Sequence, residues 1–118
     1  MEEIKVGEYV RTDIGNIFQY EGKTKKIIDE YISVSDNQNI EFLGKIEKHS
    51  KNIIELIEVG DIVNSYIVLD VMEDLQTGEI QLEMPSSYPK EGSCTIYNNE
   101  IKTILTKEQY MQNCFKLD

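Results

Sequence analysis

Isoleucine occurs 17 times in this chain of 118 residues, and alanine not once. Branching at Cβ stiffens a side chain and suits a pleated surface, while alanine is the strongest helix former. A chain that spends its apolar residues this way is expected to be mainly β, an α+β fold with minor helix. Forty per cent of its residues are apolar, which fits a globular chain rather than a disordered one. At this length roughly two thirds of the extended surface can be buried, so a core is expected without metals or disulfides. One domain over residues 1–118 is expected, with two similar halves, 1–48 and 49–118.

The halves are suggested by a repeated phrase. Ile4-Lys5-Val6-Gly7-Glu8-Tyr9-Val10 aligns with Ile57-Glu58-Val59-Gly60-Asp61-Ile62-Val63 at an offset of 53 residues. A glycine before the acid allows a turn that other residues resist, and the following Val starts a half-buried strand. Phrases of this form open small SH3-like barrels, so such a barrel, or barrel-like antiparallel sheets, is the expected architecture.

Further along, Ile17–Tyr20 reads as a strand, and 26–34 as a strand or a short helix. Ile40–Leu43 and Lys45–Lys48 read as short strands. Ser50 is a candidate N-cap for a helical turn over 51–56. Ile67, Leu69 and Val71 alternate with Tyr66, Val68 and Asp70, and Ile80, Leu82 and Met84 alternate with Glu79, Gln81 and Glu83. Joined through Glu73–Gly78, these predict a hairpin pairing Val71 with Ile80, Leu69 with Leu82 and Ile67 with Met84, with every one of those apolar residues on the inner face. Tyr66, Val68, Asp70, Met72, Glu79, Gln81 and Glu83 then face outward. Cys94–Tyr97 and Ile101–Leu105 read as a second hairpin. Thr106 and Gln109 form a capping-box pattern ahead of a helical turn over 107–112, and Phe115–Leu117 as a last strand.

The charge is local. The chain carries a net −10, and 52–89 contains eight acids with no Lys or Arg: Glu55, Glu58, Asp61, Asp70, Glu73, Asp74, Glu79 and Glu83. Residues 1–51 carry 8 basic and 10 acidic side chains. This balance argues against direct nucleic-acid binding, which needs a basic footprint, and against an anionic membrane surface. No apolar run approaches the ~20 residues of a spanning helix, and the first residues do not form a signal peptide. An intracellular, cytoplasmic setting is the expectation. There Cys94 and Cys114 are expected as reduced, structural thiols.

Two stretches, Lys48-His49-Ser50-Lys51-Asn52-Ile53-Ile54-Glu55-Leu56-Ile57-Glu58-Val59-Gly60-Asp61-Ile62-Val63-Asn64 and Ile101-Lys102-Thr103-Ile104-Leu105-Thr106-Lys107-Glu108-Gln109-Tyr110, resemble small uncharacterised proteins encoded by phages and prophages of Gram-positive bacteria. The likeness extends over about 48–72 and 101–117. It implies a source in a mobile element, with a host bacterial cell as the setting, and a small β-rich fold, and it carries no known active site.

Catalytic chemistry has little to build on. His49 is the only histidine, which leaves few ligands for a transition metal and no obvious catalytic triad. There is no phosphate-binding loop, dinucleotide fingerprint or EF-hand loop. The chain is therefore not expected to be an enzyme or to need a cofactor. Two binding readings follow. In the first, the chain is an inhibitor whose outward acids occupy the basic groove of a host protein, such as a CRISPR effector or another nuclease. Asp70, Glu73, Asp74, Glu79 and Glu83 supply charge, and Tyr66 and Met72 the apolar anchors. In the second, it is a sponge for a small nucleotide signal, with Arg11, Lys23, Lys25 and Lys26 around the phosphate. A virion accessory role is a third reading. An exposed sheet edge offers a route to a homodimer.

Overall fold

In a computed structural model of the chain, the described residues are 3–22, 25–36 and 39–114. They form antiparallel sheets and one short α-helix, a mainly β architecture in which no barrel closes. The chain divides into two compact units, residues 1–52 and 53–118.

The first unit is a five-stranded sheet. Its strands are β1 (Tyr9–Thr12), β2 (Ile17–Gln19), β3 (Lys25–Ile28), β4 (Tyr31–Asp36) and β5 (Asn39–Ser50), in the order β2-β1-β5-β4-β3. Residues 26–34, ambiguous in sequence, resolve into β3, a two-residue turn and β4. Asp29 and Glu30 take φ of 51° and 69°, the left-handed pair of a type I′ hairpin. The two short strands expected over 40–48 are one long strand, β5. It carries an irregularity opposite Ile32 and Ser33, whose partners are Gly44 and Phe42. Gly44 has φ 113°, and a Cβ there would lie 2.7 Å from Asp13 Oδ1. The core of this unit is Ile4, Val10, Ile32 and Ile46, with Phe18, Tyr20, Ile27 and Leu43 packed against it.

The second unit has two three-stranded sheets. One is β11-β6-β7, from β6 (Ile62–Val63), β7 (Tyr66–Ile67) and β11 (Ile104–Leu105). The other is β10-β9-β8, from β8 (Asp70–Glu73), β9 (Ile80–Glu83) and β10 (Thr95–Tyr97). A 3₁₀ turn over Ile53–Leu56 falls within the predicted 51–56, and a second spans Asn98–Glu100. Helix α1 (Lys107–Asn113) starts as expected: Gln109 N donates to Thr106 Oγ1 at 3.3 Å, and Thr106 N to Gln109 Oε1 at 3.1 Å. The strand expected over 115–117 lies outside the described residues. The core is Ile54, Ile57, Val63, Val68, Leu82, Met84 and Ile96.

The repeated phrase folds the same way twice. Gly7 and Gly60 have φ of 98° and 96°. Glu8 N donates to Lys5 O, and Asp61 N to Glu58 O, both at 3.1 Å. Each acid then folds back on the same turn: Lys5 N donates to Glu8 Oε2 at 2.6 Å, and Glu58 N to Asp61 Oδ2 at 2.8 Å. The chain returns alongside in both cases, with Tyr20 N donating to Glu8 O and Val68 N to Asp61 O. The Ile and the last Val of each phrase are buried, while Val6 and Val59 at the turn are exposed. The glycine supplies the positive φ and the acid satisfies an amide that the turn would leave unpaired, so the phrase is one structural device.

Three expectations are corrected. The strand predicted through 66–72 is broken. Asn64 and Ser65, with φ of 51° and 74°, make a tight turn that pairs Val63 with Tyr66. That turn fixes the phase of β7, so Tyr66 and Val68 go to the core and Ile67 and Leu69 to the surface. The β8–β9 register is offset by two residues: Val71 pairs with Leu82 and Glu73 with Ile80. An offset of two keeps every side chain on its face, so alternation alone does not separate the two registers. The loop does. Asp74 N donates to Glu79 O, Gly78 N to Asp74 O, and Asp74 Oδ1 accepts from Gln76 N and Thr77 N. Finally, 94–105 is not a hairpin: β10 pairs with β9, and β11 with β6.

Candidate functional site: the outer face of the β8–β9 hairpin

Alternation along β8 and β9 sends Val71 and Leu82 to the core and Asp70, Met72, Gln81 and Glu83 to the other face. Asp70 and Glu83 are direct cross-strand partners, and both are exposed. Like charges placed opposite each other destabilise a sheet. Among the described residues no ion pair neutralises either of them, nor Glu73, Asp74 or Glu79. Asp70 Oδ1 accepts from Val71 N at 2.9 Å, which uses one of its two oxygens. Met72 is half-buried between these acids, opposite Gln81.

The other sequence-predicted residues separate. Glu79 is exposed at the start of β9, and Glu73 lies across from Ile80 at the loop end of the core-side row, itself exposed. Asp74 is half-buried and holds the loop. Tyr66, expected as an outward anchor, packs on the core and meets the Tyr88 ring edge-on at 5.1 Å. The apolar residues that do stand out were expected inside or in a turn: Ile67 and Leu69 are each 49% exposed, and Leu75 at the hairpin tip is fully exposed. A leucine within Glu73-Asp74-Leu75-Gln76-Thr77-Gly78, otherwise polar turn residues, was the available signal.

Not all eight acids of the segment are on display. Asp61 is fully buried and accepts from Glu58 N and from Lys107 N at 2.9 Å. Glu58 Oε1 lies 2.7 Å from Lys107 Nζ, and this bond, with the negative charge around it, raises the lysine above its ordinary range. Beyond the segment, Lys90 reaches Glu100 at 2.7 Å and Thr95 O at 2.8 Å. Its hydrogen bond, with that from Tyr97 N, holds the Glu100 carboxyl below the usual carboxylate range.

Among the described residues, the basic side chains suggested for a phosphate cradle do not assemble. Arg11 is fully buried. Lys25 bonds Glu21 at 3.1 Å and lies 5.3 Å from the Phe18 ring centroid, while Lys26 points to the opposite face of β3. Lys23 lies outside the described residues. His49 Nδ1 lies 3.2 Å from Glu8 Oε1, where it braces the first glycine turn. Among the described residues no three metal-ligating side chains converge, and no helix is long and apolar enough to cross a membrane. Compared with known proteins, the chain matches no family, no curated protein and no solved structure.

Proposed function

We propose that this chain is a non-enzymatic binding protein of phage origin that inhibits a host nucleic-acid-binding or defence protein. The outer face of β8–β9 seats in a basic groove and competes with a phosphate backbone. The observation that carries this reading is the pair Asp70–Glu83, displayed directly across the sheet with no ion pair among the described residues to offset it. A folded chain tolerates such a pair at a cost in stability, and a cationic partner removes that cost. Met72, half-buried on the same face, gives an apolar contact beside the charge.

The test uses a CRISPR effector nuclease loaded with guide RNA, scored for DNA cleavage with and without the protein. Wild type is expected to block DNA loading. The triple variant Asp70→Lys, Glu79→Lys, Glu83→Lys is expected to lose inhibition while melting no lower than wild type. Undiminished inhibition by the triple variant removes the acidic face from the mechanism. Failure of wild type against a panel of such effectors and other basic-groove nucleases removes the reading itself.

A further inference from the structure

The first unit carries an exposed apolar sheet face of its own. Along β3, β4 and β5, Ile28 pairs with Tyr31 and Ser33 with Phe42, while Ile40 stands two residues from Phe42 on the same side. The Tyr31 and Phe42 rings lie 5.5 Å apart, tilted by 31°. The opposite side of these strands holds the buried Ile32 and Ile46. Ile28, Tyr31, Ile40 and Phe42 are 68, 45, 77 and 56% exposed. Isolated exposed hydrophobics need no explanation, but four on one sheet face form a patch.

We infer that this face is the interface between two copies of the chain, packed sheet to sheet about a two-fold axis. Area is the first argument. The four side chains present roughly 500 Å² per copy, within the range of the largest patch on a typical monomer. Two such patches, wholly covered, remove about 1,000 Å² from water, the lower bound for a specific interface and the size of a weak, reversible one. Charge is the second. A chain of net −10 repels its copies, yet residues 1–51 hold 8 basic against 10 acidic side chains, so contact through this unit brings together the nearly neutral half. The face is also self-complementary. Glu30 and Lys45 lie 3.7 Å apart at its end, about half exposed, and a two-fold contact lets each reach the other's counterpart. Lys26, in the row with Ser33 and Phe42, adds a cation rather than a repelling acid.

Sedimentation velocity tests this on the whole chain, from low micromolar to submillimolar concentration. Wild type is expected to shift from a 13.7 kDa species to twice that mass as concentration rises. The variant Ile40→Lys, Phe42→Glu is expected to stay monomeric throughout while keeping a single cooperative melting transition, because both side chains are more than half exposed. Ile28→Lys, in another strand, is the second variant and is expected to raise the dissociation constant at least tenfold. A wild type that remains monomeric overturns the inference. So does a dimer that survives these changes, or one abolished instead by Asp70→Lys and Glu83→Lys. A monomer whose apolar face binds a hydrophobic dye also overturns it, and leaves the face to another partner.

Discussion

Asn64 holds more of the second unit together than its place in a two-residue turn suggests. Its Nδ2 donates to the Tyr88 hydroxyl and to Glu100 O, both at 2.9 Å, and its Oδ1 accepts from Lys102 N and Thr103 N at 2.7 and 3.1 Å. Its φ of 51° is a conformation that Asn tolerates better than most residues. Asn64→Ala removes four bonds and strains the turn, so urea denaturation is expected to show a loss of about 2–4 kcal/mol. Asn64→Gly relieves the backbone alone and should recover only a minor part. Glu100 makes a separate prediction. Its carboxyl is held down by Lys90, so the folded state binds that proton more weakly than the unfolded chain. The stability gained is complete above the ordinary carboxylate range and is lost as pH falls through the lowered folded value. Melting temperature against pH should therefore drop less steeply on the acid side in Glu100→Gln than in wild type.

At the scale of elements, legibility followed how local the determinant was. The Thr106–Gln109 capping box and the glycine turns at Gly7 and Gly60 were legible because residues within four positions make them. The two I′ turns were not, since Asp29-Glu30 and Asn64-Ser65 both lack the glycine that marks such a hairpin. Missing the second of them put Tyr66 on the wrong face. The β8–β9 strands and their faces were legible from alternation, while their register was set by an Asp74 side chain whose hydrogen bonds alternation does not encode. The acids of the outer face and Met72 among them were thus legible, while the exposure of Ile67, Leu69 and Leu75 was not. The corrected register makes its own prediction. Because Glu83 faces Asp70, Glu83→Lys replaces repulsion by attraction and should raise stability by about 0.5–1 kcal/mol in urea titration. The predicted register, with the two residues out of line, gives no such gain.

For the molecule as a whole, composition announced sheet, and the sheets arrived as two units that share one device, an acid-clasped glycine turn. What was not legible was the closure: an SH3-like phrase at the start of each unit leads to open sheets. Net charge is the property that acts at this scale. If the acidic hairpin steers a basic partner, association should slow strongly as salt rises past the point where the screening length falls to about 8 Å. Dissociation should change much less. Stopped-flow measurements at several ionic strengths, on wild type and on the triple lysine variant, check this; a wild-type association rate insensitive to salt contradicts it.

The fully exposed Leu75 at the hairpin tip has a consequence for proteolysis. Exposed loop tips are where proteases first nick a folded chain. Trypsin needs Lys or Arg, and from 52 to 89 it finds neither, so it can release the acidic segment only as a single piece. A protease that cuts after large apolar residues meets Leu75 unobstructed. The two enzymes therefore read different things. Trypsin reports on the rest of the molecule, and a chymotrypsin-type nick at Leu75 reports on whether this hairpin is covered. Protection at Leu75 on adding a basic partner, with trypsin patterns unchanged, would map the contact without any substitution.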